Sequence, residues 1–380
     1  MKILILGSDG YIGYPLTRHL RNRDHEIICL DNYSRRERVA GIGGNSLTPI
    51  EDRKLDIKTL TYTLGQSHYV QIKRLLNSYK PDTIIHLAEQ PSAPWSMIDA
   101  EHAYVTQSEN ILGTLDLLWA MREECPNTHL IKIGTMGEYG TPDCDIPEGI
   151  ISNFCPSPSM EGKYCPMKGL LFPRQPGSFY HLTKVHDTFN IKFACDIWGL
   201  NSTDIMQGVI FGVKVTGEEE EKELTRFDYD EYFGTAINRF CAQALAGIPL
   251  TIYGKGEQKR GFLPLKDSIQ CLTIAVENPP KKGEYRTWNQ FESVYSINNL
   301  ANIVIECARE LGINVTADHL INPRVEKEDH YYNPTCQTLF DLGYEPTTNI
   351  KYEVKNLLQD LRPYKDRIIK DVIMPKTKWR

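Results

Sequence analysis

Tyr180-His181-Leu182-Thr183-Lys184 sets a phenol and an ammonium group on one face of a predicted helix. A lysine so placed lowers the pKa of the phenol and holds a nicotinamide ribose. Tyr180 can then exchange a proton with a sugar hydroxyl while hydride moves to or from the ring. Y-x-x-x-K recurs by chance in many helices. It gains force from Gly134-Thr135-Met136-Gly137-Glu138-Tyr139-Gly140, directly behind an apolar run, where Thr135 offers a hydroxyl to the reacting oxygen.

Redox chemistry of this kind needs a dinucleotide, and the N-terminus has the pattern for one. Gly7, Gly10 and Gly13 follow the run Lys2 to Leu6, and Asp31 closes a second apolar run, Ile27 to Leu30. In a strand, turn, helix order the first glycine permits the turn, the second admits the pyrophosphate to the backbone, and the third lets helix and sheet pack. Asp9, Tyr11 and Ile12 fill the turn, and Asn32 follows the acid. Asp31 would take the adenosine ribose hydroxyls, which favours NAD. Arg35 and Arg36 lie just beyond and could hold a 2′-phosphate, but a carboxylate at Asp31 would repel it.

These residues require a doubly wound α/β fold. Runs at 2–6, 27–31, 83–88, 129–134 and near 203–210 read as parallel strands alternating with helical patterns. The run 83–88 is apolar on both faces and ends where such sheets meet ligands, so Asp56, Ile57 and the stretch from His86 through Leu87 to Glu89 border the cofactor. Asp56 reads equally as a helix cap. A Rossmann domain is expected over 1–206, with a smaller, partly interleaved α/β substrate lobe over 207–380. That lobe shows helices at 234–247, 266–277, 297–311 and 350–361 and short strands at 250–253 and 285–289. The segment 141–178, rich in proline and glycine, is predicted as a long active-site loop. Glu218 to Glu221 read as a solvated acidic stretch.

Composition narrows the partners. With 380 residues and a net charge of -6, the chain can bury a full core and offers no broad cationic surface, which argues against nucleic acid and anionic membranes. No apolar run reaches the roughly 18 residues of a spanning helix, and a core strand begins at residue 2, so a cytoplasmic protein is expected. The ten cysteines include no C-x-x-C pair, which suits reduced thiols and leaves no metal site. Cys144, Cys155 and Cys165, in one polar loop, keep a redox or metal reading open.

Together, the glycine turn, Thr135, Tyr180 and Lys184, with Asn110-x-x-Gly113-Thr114 and Tyr253-Gly254-Lys255-Gly256 before Arg260 and Asp267, resemble the extended short-chain dehydrogenase/reductases that act on nucleotide sugars. The resemblance implies that Gln90, Ser92, Thr135, Gln207, Arg239, Tyr253, Gln258, Arg260, Arg324 and Glu326 contact the substrate. It also implies a homodimer built on helices near 99–124 and 178–198. The 4,6-dehydratases of that family carry an Asp-Glu pair after the threonine. Met136 and Gly137 stand there instead, which disfavours a plain dehydratase. Within the family, the strings from Glu89 to Asp99, from Gly134 to Pro142, from Phe179 to Asp187 and from Asn322 to Asn333 resemble the UDP-sulfoquinovose synthases. Pro91 departs from that pattern where an arginine is expected, a gap that Arg174 or Arg260 could fill. The implied reaction joins UDP-glucose and sulfite, delivered free or by a partner protein. It runs by NAD-dependent oxidation at carbon 4, loss of water across carbons 5 and 6, sulfite addition and re-reduction. His181 and Glu138 are the candidates for the elimination acid and base, although His181 adjoins Tyr180 and adjacent helical residues do not share a face. His186 and Asp187, further along the helix, read as packing or interface residues. A 4-epimerase and a silent scaffold that binds nucleotide sugar or RNA are the competing readings.

Overall fold

A computed structural model describes residues 1–51, 53, 57–59, 68–151, 170–215, 224–347 and 349–379, the backbone alone at 57–59. Asp56, Cys155, Cys165, Glu218 to Glu221 and 152–169 of the expected loop lie outside these residues. The first part of the chain runs β1 (Lys2–Leu6), α1 (Gly13–Arg21), β2 (Glu26–Asp31), α2 (Ser34–Gly41), β3 (Ile57–Thr59), α3 (Tyr69–Tyr79), β4 (Thr83–His86), α4 (Ala100–Gln107), α5 (Gly113–Glu124) and β5 (His129–Thr135). There follow β6 (Ile150–Ile151), β7 (Leu170–Leu171), α6 (Phe179–Trp198), β8 (Asn201–Gln207), β9 (Val209–Phe211), α7 (Ala236–Ala246), β10 (Leu250–Tyr253) and β11 (Lys259–Pro264). The chain closes with α8 (Leu265–Glu277), β12 (Tyr285–Gln290), β13 (Ser293–Ser296), α9 (Ile297–Glu310), β14 (Ala317–Leu320), α10 (Thr338–Asp341) and α11 (Ile350–Leu361).

Seven parallel strands form the main sheet in the order β12-β8-β5-β4-β1-β2-β3. Chain direction across the sheet reverses beside β1, and at that switch point the carboxyl ends of β1 and β4 open the cleft used by ligands of such sheets. Alternation of side chains explains the double burial. In β1, Ile3 and Ile5 face a core shared with Leu16 and Leu20 of α1 and Ile269 and Leu272 of α8. Leu4 and Leu6 face the opposite core, with Leu76 of α3, Leu117 of α5 and Ile191 of α6. A third core, around Phe240 of α7, Val304 of α9 and Leu358 of α11, belongs to the C-terminal lobe.

Two features differ from the expectation. The run near 203–210 is two strands, β8 in the main sheet and β9 in a three-stranded sheet ordered β13-β11-β9. Gly208 makes the separation possible. A Cβ there would lie 2.7 Å from the Gly261 carbonyl oxygen and 3.0 Å from that of Gln290. The second feature is β12, which returns from the C-terminal lobe to complete the main sheet beside β8. Within the expected loop, β6 and β7 pair antiparallel.

Candidate active site

The glycine turn closes on itself. Gly7 adopts φ +86°, and a Cβ on it would stand 2.8 Å from the Leu87 carbonyl carbon; a Cβ on Gly13 would lie 2.0 Å from the Gly7 oxygen. At the far side, Asp31 accepts from the backbone N–H groups of Asp9 and Tyr33 at 2.8 and 2.7 Å. The Ser8 hydroxyl is buried and has no hydrogen-bond partner among the described residues. A tight turn opening α1, an orphaned hydroxyl in it and a carboxylate at the end of β2 fit a dinucleotide. Arg36 clasps the Asp9 carboxylate at 2.7 and 2.6 Å, and Asn32 caps the next turn by accepting from Ser34 N–H. Arg35 donates twice to Asp228 and lies 3.8 Å from the Phe233 ring centroid, while its Nη1 is buried without a hydrogen-bond partner among the described residues. With both arginines engaged and Asp31 at the strand end, the residues fit NAD rather than its 2′-phosphorylated form. Tyr11 turns away toward the C-terminal lobe, donating to the Gly212 carbonyl at 2.6 Å, and Ile12 precedes α1.

Thr135 ends β5 and Tyr180 opens α6. Thr135 Oγ1 accepts from Gly137 N–H at 3.1 Å while Glu138 reaches back to Thr135 N–H at 3.3 Å, a reciprocal cap that fixes the threonine. Ser178 caps α6 by accepting from His181 N–H at 3.1 Å, and its hydroxyl lies 3.0 Å from His181 Nδ1. The Tyr180 phenol is pushed up by burial and by the Glu89 carboxylate, and pulled down by Lys132 and a hydrogen bond to Thr135. Lys184 follows on the same helix and is held by two further groups. Its Nζ lies 5.8 Å from the Tyr180 ring centroid, meets Glu89 Oε2 at 2.5 Å and donates to the Ile133 carbonyl at 2.6 Å. Lys132 is the nearby cation that pulls the phenol down against its burial.

His181 and Glu138 occupy different surroundings. Burial first, then the guanidinium groups of Arg260 and Arg324, hold the His181 imidazole down at about 3, so it is neutral and faces the C-terminal lobe. Glu138 is wholly buried beneath Thr135, 3.2 Å from the Thr188 hydroxyl and 3.7 Å from Arg174 Nε. Burial pushes its carboxyl up to about 7; Arg174 pulls it back and Asp204 adds to the rise. Arg174 stacks 4.4 Å from the Tyr139 ring centroid, so the proposed substitute for the arginine missing at Pro91 is turned inward.

Across the cleft, Arg260 meets Glu326 at 2.7 Å and His330 Nε2 at 3.1 Å, and Arg239 donates to the Tyr253 hydroxyl at 2.9 Å. Arg324 stands over the rings of Tyr253 and Trp379. Burial alone would raise the Glu326 carboxyl, but Arg260 and Arg324 hold it below its ordinary value. Gln207 Oε1, Gln258 Oε1 and Arg239 Nε are buried without a hydrogen-bond partner among the described residues, as groups awaiting a polar ligand are. Gln90 and Ser92 are corrections. Gln90 Nε2 donates to the Ser92 carbonyl and Thr106 Oγ1 at 3.0 and 2.9 Å, and Ser92 Oγ donates to the Tyr232 carbonyl, so both are consumed by the fold.

Residues 3–159 match the NAD dependent epimerase/dehydratase family. Over its whole length the chain is 46% identical to a UDP-sulfoquinovose synthase from Sulfolobus acidocaldarius, covering 98% of that protein. It is 41% identical to the chloroplastic UDP-sulfoquinovose synthase of Spinacia oleracea, covering all of this chain and 79% of the other. The chain belongs to the UDP-sulfoquinovose synthase family. The fold is that of a UDP-glucose 4-epimerase from Thermotoga maritima solved with UDP-glucose, with a TM-score of 0.70 at 19% identity over 96% of this chain and 99% of that one. A Bacillus cereus UDP-glucuronic acid 4-epimerase solved with UDP-glucuronic acid and NAD aligns with a TM-score of 0.69 at 19% identity, covering 96% and 99% of the two chains.

What sequence reasoning missed in this family member is a layer of charge beneath the reacting groups. Lys132 meets Glu89 at 2.7 Å and Asp187 at 3.1 Å, His86 lies 3.7 Å from Glu89, and Thr188 donates to Asp204 at 2.6 Å. Asp187 is therefore more than a packing residue. The one visible signal was a lysine inside the otherwise apolar run Leu130 to Ile133.

Proposed function

We propose that this protein makes UDP-sulfoquinovose from UDP-glucose and sulfite. The observation that carries the reading is the meeting of Tyr180 and Thr135 with His181, Arg260 and Arg324 across one cleft, in a chain similar over its full length to two enzymes of that name. Gly7, Gly10, Gly13 and Asp31 would hold NAD, whose chemistry is to take hydride from carbon 4 of the sugar and give it back. Tyr180 takes the proton from the oxygen on carbon 4 and later returns it, with Thr135 sharing that hydrogen bond. Between those events the carbon 5 proton and the carbon 6 hydroxyl leave as water, sulfite bonds to carbon 6 through sulfur, and a proton returns to carbon 5.

His181 is the better placed of the two candidates for the elimination. It is neutral and shares its surroundings with Arg260 and Arg324, whereas Glu138 lies behind Thr135. Arg239, Arg260 and Arg324 hold the diphosphate and sugar, since guanidinium groups grip such oxygens in pairs. Sulfite comes free in solution or from a partner protein. The protein works in the cytoplasm, a reading supported by the absence of disulfides among the described cysteines. No described helix is long and apolar enough to cross a membrane.

Incubation with UDP-glucose and NAD, with and without sulfite, tests the reading. A sulfonated UDP-hexose that forms only with sulfite is expected. UDP-galactose in both arms would make the protein a 4-epimerase.

A further inference from the structure

β5 runs through the centre of the main sheet, and its neighbours in sequence, Leu130, Ile131 and Ile133, all enter apolar cores. Lys132 breaks that pattern, its side chain 1% exposed. A buried ammonium costs several kcal/mol unless it is fully paired, so a lysine here needs partners and a reason. The partners come from two separate elements. Glu89, after β4, meets Lys132 Nζ at 2.7 Å through one carboxylate oxygen and Lys184 Nζ at 2.5 Å through the other, while Asp187 of α6 lies 3.1 Å from Lys132. Glu89 thus bridges two lysines, one of which belongs to the redox pair.

We propose that Lys132 is a positioning residue of this active site: through Glu89 it fixes Lys184, and its own charge stabilises the phenolate of Tyr180. The idea rests on the proposed role of Tyr180 as the proton acceptor. Around the phenol stand Glu89 from the β4 loop, Thr135 and Glu138 from the end of β5, Lys132 within β5, and His181 and Lys184 from its own helix. Of the cations, Lys184 shares Glu89 with Lys132 and donates to the Ile133 carbonyl. Around Lys132 stand Glu89, Asp187 and, from β8, Asp204, and His86 of β4 completes the shell on Glu89. Removing Lys132 leaves Glu89 facing the tyrosine with one counter-charge fewer. Proton loss from Tyr180 then requires a higher pH.

The test is the acid limb of the pH profile of kcat/KM for turnover of UDP-glucose, whatever product forms. Lys132→Met should move the limb up by about one pH unit. Lys132→Arg should restore it. Because Lys132→Met leaves two buried carboxylates with one cation, the double variant Lys132→Met/Asp187→Leu removes charge in balance and keeps the Glu89 to Lys184 pair; its limb should also move up. A folded variant of either kind whose limb stays at the wild-type position overturns the proposal, since a structural lysine would lower activity without moving the limb. Should neither fold, Glu89→Gln decides: a limb shifted to lower pH is expected, and an unmoved one rejects the arrangement. Sulfite incorporation plays no part in this readout. Its failure would sink the proposed product and leave the Lys132 result standing, whereas full activity in Tyr180→Phe would remove the tyrosine itself.

Discussion

Tyr180 and Glu138 both adjoin Thr135, and their environments push both toward holding a proton. For Tyr180 the consequence is catalytic. Tyr180→Phe keeps the ring and removes the proton acceptor, so kcat should fall by about 100-fold to 10,000-fold with little change in Tm; kinetics and melting on one preparation check both. For Glu138 the consequence is also one of stability. Its carboxyl, ordinarily near 4.5, is pushed up to about 7 in the fold, chiefly by burial. A raised carboxyl contributes stability that is whole below the ordinary range and is lost as pH rises through the folded value. The Tm should therefore decline between about pH 5 and 8, and Glu138→Gln should flatten that decline. An unchanged slope in the variant would show that other groups set it.

At the scale of elements, two glycines bring segments together. A Cβ on Gly13 would collide with the Gly7 oxygen at 2.0 Å, so Gly13→Ala must open the turn that starts α1. We expect NAD affinity, read by calorimetry, to drop by at least about tenfold. Gly137 faces His181, with only 2.4 Å between a built Cβ and Nε2. Gly137→Ala should displace the imidazole and cost about 100-fold in kcat/KM without loss of NAD binding. Much of this framework is legible in the sequence because parallel strands buried on both faces are near-continuous apolar runs, as β1 and β4 are. The rest is not, for reasons that particular residues make plain. The strand at 285–289 is legible, but Arg286, Thr287, Asn289 and Gln290 in β12 hide its place in the main sheet. The bridging of Lys132 and Lys184 by Glu89 joins residues that no spacing relates. Gln90 and Ser92 follow Glu89 directly yet point into the fold, where Thr106, Asn110 and Tyr232 satisfy them.

At the scale of the molecule, large apolar side chains gather on one helical face of the described residues. Tyr104, Leu112, Phe189, Phe193 and Ile197, on α4, its continuation and α6, are 73, 55, 52, 57 and 64% exposed, a concentration of large apolar side chains of the kind association faces carry. These are the helices on which a homodimer is proposed. Light scattering should give a dimer mass for the wild type and a monomer for Phe193→Glu/Ile197→Lys; a wild type that stays monomeric at every concentration would refute the assembly. The central claim concerns the sugar's fourth carbon, which must give up its hydrogen and take it back within one turnover. UDP-glucose deuterated at carbon 4, incubated with the enzyme, NAD and sulfite and followed by mass spectrometry, reads this directly. The account predicts a sulfonated UDP-hexose that keeps its deuterium. A product that has lost the label, or labelled UDP-hexose that never gains a sulfonate, would contradict it.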